Sequence, residues 1–174
     1  MVGRDHIITS AAAGALASAL APHVPALEAA LECLPLVLVA AIAAVGGLLP
    51  DIDAPKSTIS RVLGFHLPVR HRTITHTIWI VLLLLLIAYQ LRSGIFTALA
   101  IGYAMHLAMD SLSRGGVVWT WPFRRYLDET DGYTYHVAPG YGRPKLYTTG
   151  GEGEDVTCAA VTLGCLALTA LLSL

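Results

Sequence analysis

The sequence predicts an all-α fold: a polytopic membrane bundle of about five apolar helices, with a small irregular or hairpin loop region before the last helix. Three observations lead there. The chain of 174 residues is 55% hydrophobic and only 13% charged, with a mean hydropathy of +0.64, too little charge to coat a soluble domain of this size. Five stretches, 6–27, 33–50, 73–91, 93–109 and 156–174, contain no Asp, Glu, Lys or Arg, and each approaches the ~20 helical residues that cross a hydrocarbon core. Ten of the eleven Lys and Arg residues fall on one side of the resulting topology.

Taken in order, the first stretch is the least apolar. It is rich in Ala and Ser and carries His6, Pro22, His23 and Pro25, so a buried amphipathic helix competes there with a span. Asp5 and His6 at its head do not suit a cleaved signal peptide, and the segment is expected to be retained. The second and third stretches flank the loop "GLLPDIDAPKSTISRVLGFHLPV", in which Pro50 and Pro55 bracket an extended turn. The third and fourth are joined by the short connection "LRSG". Between the fourth and fifth lies a long loop, 114–155, whose alternating "TYHVAPGYGRPKLYTTGG" suggests a small hairpin. The whole of 1–174 reads as one membrane-embedded domain, without an internal repeat.

Arg4, Lys56, Arg61, Arg70 and Arg72, together with Arg114, Arg124, Arg125, Arg143 and Lys145, lie at the N-terminus and in the two long loops; Arg92 alone lies opposite. The excess predicts an inner-membrane protein with its N-terminus and long loops in the cytoplasm. A formal net charge of −1 and the absence of a basic arm predict no nucleic-acid partner. Cys33, Cys158 and Cys165 lack metal-type spacing and are expected to be small buried hydrophobes.

On this topology His6, Asp51, Asp53, His71, His76, His106 and Asp110 all reach the same cytoplasmic membrane boundary. Histidine and aspartate are costly there unless paired or functional, and together the seven predict a metal site facing the cytoplasm. His106 and Asp110, four apart, share a helix face. Asp51 and Asp53 are expected to project side by side, which favours a cation between them. His71 is placed in the loop and His76 in the first helical turn, with Thr73 or Thr75 as cap. Mixed imidazole and carboxylate donors suit zinc, with manganese or iron as alternatives. His23 and His66 are expected at the surface, and His136 is left open between solvated and substrate-facing.

The stretches "GGLLPDIDAPKS", "HRTITHT" and "HLAMDSLSRGGVVWTWPF", behind an N-terminal histidine and a small-residue helix, resemble the YdjM-like family of membrane-bound metal-dependent hydrolases, which is LexA-regulated in bacteria. The resemblance runs from His6 to about Phe123. It implies Asp51, Asp53, His71, His76, His106 and Asp110 as metal-site positions, joined by His6, with Glu152 or Glu154 as candidates to complete the set. A fainter likeness to zinc-dependent phospholipase C and nuclease enzymes is an analogy only.

Seven ligands exceed the four of one tetrahedral zinc, so two divalent ions are expected, activating water against a phosphoester. Asp51, Asp53, His71 and His106 are the expected catalytic residues, with Arg72 on the substrate phosphate. Arg70, Arg114, Arg124 and Arg125 are weaker candidates for that contact. Trp119 and Trp121 suit an interfacial belt. The expected partners are membrane lipids, and the expected substrate is a lipid or lipid-linked phosphoester. Two other readings remain: a metal or ion transporter, and a non-catalytic scaffold whose metal pins the loops. An intramembrane peptidase is disfavoured, since H-E-x-x-H is absent.

Overall fold

A computed structural model describes residues 3–31, 34–113, 116–122, 126–128, 133–135 and 146–174. The chain is a helical membrane protein. Its helices are α1 (Gly3–Leu20), α2 (Pro25–Leu31), α3 (Leu36–Gly46), α4 (Thr58–Leu63), α5 (Ile78–Leu91), α6 (Gly94–Leu112) and α7 (Glu152–Leu172). Short 3-10 turns lie at Ala21–His23, Leu49–Asp53 and Ile74–His76.

Three stretches are long and apolar enough to cross a membrane: Leu36–Asp53, Gly94–Leu112 and Gly153–Leu172. The five expected spans therefore need two corrections. The stretch 73–91 yields a helix of only 14 residues, about 21 Å at ~1.5 Å per residue against a core of ~30 Å, because Ile74–His76 is folded into the turn that carries His76. The stretch 6–27 is broken at Leu20, where Pro22 falls in a 3-10 turn and Pro25 opens α2. A proline has no N–H to continue an α-helix and is tolerated only in its first turn.

Helix α1 is instead the inner helix of the bundle. It packs on α3, α6 and α7, and its buried face holds Asp5, His6, Thr9 and Ser10 as well as Ala12, Gly14 and Ala15. Such a face suits protein neighbours and not lipid, so of the two readings of this stretch the buried one describes it. Small residues set the packing. A Cβ on Gly14 would press on Ala40 and Ala43, and one on Gly102 of α6 would collide with the Ala43 carbonyl. In a membrane, close backbone approach supplies much of the cohesion that apolar burial supplies in water. Ser10 adds a bond between helices, its hydroxyl donating to the Gly102 carbonyl at 3.2 Å.

Leucines of α5 and α7, among them Leu83, Leu86, Leu163 and Leu171, are exposed and face the surrounding apolar phase. Cys158 is buried and Cys165 half-buried, as small hydrophobes; Cys33 lies outside the described residues. A two-stranded antiparallel ladder pairs β1 (Tyr126–Asp128) with β2 (Tyr133–Tyr135). It precedes most of the stretch 134–151 in which a hairpin was expected. There Tyr147 pairs with Ser113 in a single bridge, and 136–145 lies outside the described residues.

Candidate metal centre

The C-terminal ends of α3 and α6 and the N-terminal ends of α1 and α5 meet, and the seven ionisable residues expected at the membrane boundary meet with them. Asp51 and Asp53 occupy the 3-10 turn Leu49–Asp53, opened by Leu49 and Pro50. This is not the extended turn expected, and the difference has a consequence. With about three residues per turn, side chains two apart diverge. Asp51 Oδ1 lies 3.6 Å from His76 Nε2 and 3.7 Å from His106 Nε2, whereas Asp53 Oδ1 pairs with His71 Nδ1 at 2.7 Å. The two carboxylates therefore reach different atoms: both approach His76, Asp51 at Nε2 and Asp53 Oδ2 at Nδ1, 3.6 Å away, but only Asp51 approaches His106 and only Asp53 holds His71.

His76 ends the turn Ile74–His76, ahead of α5 and not within its first helical turn. Neither Thr73 nor Thr75 caps α5. The Thr73 hydroxyl donates to the Arg70 carbonyl, and the Thr75 hydroxyl donates to Asp53 Oδ2. With its proton committed there, Thr75 Oγ1 can accept from His76 Nδ1, 3.0 Å away. Tyr103 of α6 donates its hydroxyl to the Thr75 carbonyl and holds the turn from below.

His106 and Asp110 lie on one face of α6, His106 Nε2 3.9 Å from Asp110 Oδ2. The Nδ1 of His106 is 2.7 Å from the Gly47 carbonyl. A carbonyl can only accept, so Nδ1 carries the proton and Nε2 presents a lone pair. With Thr75 accepting at Nδ1, the neutral ring of His76 likewise presents Nε2 as a lone pair. These two nitrogens are 3.2 Å apart, and two lone pairs at that distance repel unless a positive charge lies between them.

His6 stacks on His106 with ring centroids 3.6 Å apart, and its Nε2 is 3.6 Å from Asp110 Oδ1. Both of its ring nitrogens are buried without a hydrogen-bond partner among the described residues. Buried polar atoms are normally satisfied, so these orphans point to a missing ligand. The other donors agree. His76 Nε2, His106 Nε2, Asp51 Oδ1 and Asp110 Oδ2 stand 3.2–3.9 Å apart over five measured pairs. Donors around a tetrahedral zinc at ~2.0–2.1 Å stand about 3.3 Å apart. Three overlapping groups, His6–Asp51–His106, Asp51–His71–His76 and His76–His106–Asp110, are compact enough to hold a metal ion.

Burial alone would lower the pKa of His76. Asp51 and Asp53 against its ring, with Asp110 behind them, instead leave it raised above the ordinary imidazole range. Burial and the nearby Asp110 and Glu154 push the Tyr147 phenol up, so it stays protonated and donates to the Met109 carbonyl at 2.6 Å.

Arg72 lines the cavity over the cluster and is anchored from within. Its backbone is left-handed, with φ of 63°, a conformation that costs a non-glycine residue energy and recurs at functional sites. Its guanidinium turns inward, Nη2 3.0 Å from Asp110 Oδ2 and Nη1 donating to Ser113 Oγ at 3.3 Å. Arg70 is exposed, as are His23 and His66. Trp119 is half-buried, with Nε1 donating to Ser111 Oγ at 2.7 Å. Glu154 is buried and accepts from the Gly150 N–H at 2.5 Å. Arg114, Arg124, Arg125, His136, Arg143, Lys145 and the Glu152 side chain lie outside the described residues.

Sequence reasoning missed Asp5, buried beside His6 with its Oδ2 unpartnered among the described residues. It also missed Gly47, Thr75 and Tyr103, which orient the histidines. The step of four between His6 and Ser10 and the position of Thr75 beside His76 were the available signals. A cavity of about 280 Å³ opens over the cluster, lined by Asp51, His71 and Asp110 and by the cations Lys56, Arg61 and Arg72. A larger cavity of about 760 Å³ lies away from the cluster; its lining is mostly apolar, with Arg92 the sole charged side chain among the described residues.

A family model described as YdjM inner membrane protein matches residues 1–173. No curated protein and no solved structure matches the chain. Running the length of the chain and through every residue of the buried cluster, that match establishes that the protein belongs to the YdjM inner membrane protein family.

Proposed function

We propose that the protein is a membrane-bound metal-dependent hydrolase that cleaves a phosphoester of a lipid or lipid-linked substrate at the cytoplasmic boundary of the inner membrane. The observation that carries this reading is the buried set of histidine and aspartate donors beneath a cavity with three cations in its wall. Two divalent ions, zinc or alternatively manganese or iron, fit the number of donors, and His6, Asp51, His71, His76, His106 and Asp110 would hold them. The ions would supply a water acidic enough to attack at neutral pH and positive charge opposite the phosphoryl oxygens.

The chain's own groups divide the remaining work. His106 and His76 present Nε2 because Gly47 and Thr75 engage their Nδ1 atoms, the orientation that second-shell partners impose on ligating histidines. Asp53 has both oxygens engaged, by His71 and by Thr75. It therefore acts through those neighbours as a positioning residue and not as a direct ligand. His71 lines the cavity and, with its Nδ1 proton given to Asp53, would present the Nε2 lone pair as a donor in the group it forms with Asp51 and His76. Arg72, anchored on Asp110, places its positive charge in the cavity wall, where it would attract a phosphate.

The cavity volume suits a phosphate headgroup and not a whole lipid, so the acyl or isoprenoid portion would remain in the bilayer. The test is phosphate release from phospholipids and isoprenoid phosphates in nanodiscs, in the presence of zinc, manganese or iron. Turnover that vanishes in His106→Ala is the expected result. A metal-loaded, folded protein that hydrolyses none of these lipids would overturn the proposal, and metal flux into sealed vesicles would then favour transport.

A further inference from the structure

Between Asp53 and Asp110 the chain contains no acidic residue. The part of that interval from 56 to 70 lies outside the three candidate spans and has its apolar side chains on the wrong side for water. In α4 the buried residue is Ser60, while Val62 is 78% exposed. Leu63, Phe65, Leu67 and Val69 follow, all exposed, so five large apolar side chains project within eight positions. A helix facing water buries its apolar face and shows its polar one; this segment does the reverse.

The segment is not loose. Ser57 caps α4, its Oγ accepting from the Ser60 N–H at 3.2 Å. The Ser60 hydroxyl and the Leu67 N–H both donate to the Ile52 carbonyl, at 3.3 and 2.9 Å. Ile52 stands between Asp51 and Asp53, so the segment is tied directly to the metal centre. Its first half, Lys56, Ser57, Thr58 and Arg61, also walls the cavity over that centre. Lys56, Arg61 and Arg70 are all exposed, and they flank the apolar residues, two before and one after, as cations do in segments that lie in an anionic lipid interface.

We propose that residues 56–70 lie in the anionic headgroup layer of the same bilayer that α3, α6 and α7 cross, and hold the mouth of the metal-centre cavity at that depth. The occupant of the exposed face is lipid: Val62, Leu63, Phe65, Leu67 and Val69 reach toward the acyl boundary, while the three cations meet headgroup phosphates. The inference rests on the membrane placement of the chain and is independent of whether the centre hydrolyses anything.

The test uses the full chain in nanodiscs, with Phe65→Trp and, separately, Val62→Trp. Both sites are exposed, so neither change disturbs packing, and helical circular dichroism checks the fold. The added tryptophan, read as the difference from the parent protein, is expected to be quenched by phosphatidylcholine brominated on its acyl chains and spared by iodide. Both effects are expected to strengthen when phosphatidylglycerol is included. Free quenching by iodide would place the face in water and overturn the proposal. Protection from both quenchers would mean that protein covers the face, which overturns it equally. Identical behaviour with and without phosphatidylglycerol would overturn the assignment to an anionic surface.

Discussion

His76 and His106 present their Nε2 atoms to each other at 3.2 Å, and the consequences of that pair can be measured residue by residue. Replacing His106 by Ala removes a donor shared by two of the three metal-capable groups, and bound metal is expected to disappear in elemental analysis. Asp53→Asn keeps the size of the side chain but weakens its hold on His71 and Thr75. Loss of such an orienting partner typically costs about 10- to 100-fold in metal affinity, so titration should find weaker binding and not none. Equal loss in the two variants would return Asp53 to the ligands. Arg72→Lys keeps the charge and loses the guanidinium fork, and turnover of the phosphoester should fall about 10- to 100-fold, the ~1.5–3 kcal/mol of a charge-assisted hydrogen bond, with metal content unchanged.

The pH dependence follows from His76. Proton and metal compete for its Nε2, and ligation requires the neutral ring. Because the pKa of His76 in the metal-free protein is raised, competition begins above the ordinary value of ~6.5. Metal affinity should therefore be flat at alkaline pH and fall as pH drops through neutrality; affinity constant down to pH 5 would contradict this. At this scale the sequence was legible where spacing alone decides geometry, as with His106 and Asp110 four apart on α6. It was not legible at Asp51 and Asp53, because a proline-flanked turn reads alike whether it is extended or 3-10, and only the latter separates the two carboxylates.

Among the elements, α1 was hardest to read. Its Ala- and Ser-rich composition fits a weak span or an inner helix equally well, and what decides between them is contact with α3, α6 and α7, which no local pattern encodes. Its prolines did mark its end. The short α5 has a similar origin: the uncharged run 73–91 is continuous, but Thr73, Thr75 and Thr77 engage backbone and carboxylate partners, as such side chains do in competition with helix formation. Close packing gives a test at this scale. Gly102→Val forces side-chain atoms into the Ala43 backbone. Overpacking typically costs about 1–3 kcal/mol, and a backbone neighbour that cannot yield puts this variant at the upper end, so thermal stability in detergent and metal content should fall together. Gly164→Ala on α7 meets nothing within 4 Å and should leave both unchanged.

At the scale of the whole molecule, the polarity of the chain is concentrated at one end. Three apolar stretches are long and apolar enough to cross the membrane, α1 packs on their helices with a polar face, and the loops at that end carry the aspartates and histidines into one buried cluster. The low charge and the uncharged runs made the membrane class and the helical fold legible. The one-ended placement of seven ionisable residues made the cluster legible before any distance was known. Asp5 and the divided roles of the carboxylates were not, since both depend on which atoms remain unpaired after packing. The most direct measurement is the metal content of the detergent-purified protein by inductively coupled plasma mass spectrometry, beside the Asp51→Ala, His106→Ala double variant. About two equivalents of a transition metal per chain, lost in the variant while helical content is kept, is the expected result. A folded parent protein that binds no transition metal even when it is supplied would contradict the account at its centre.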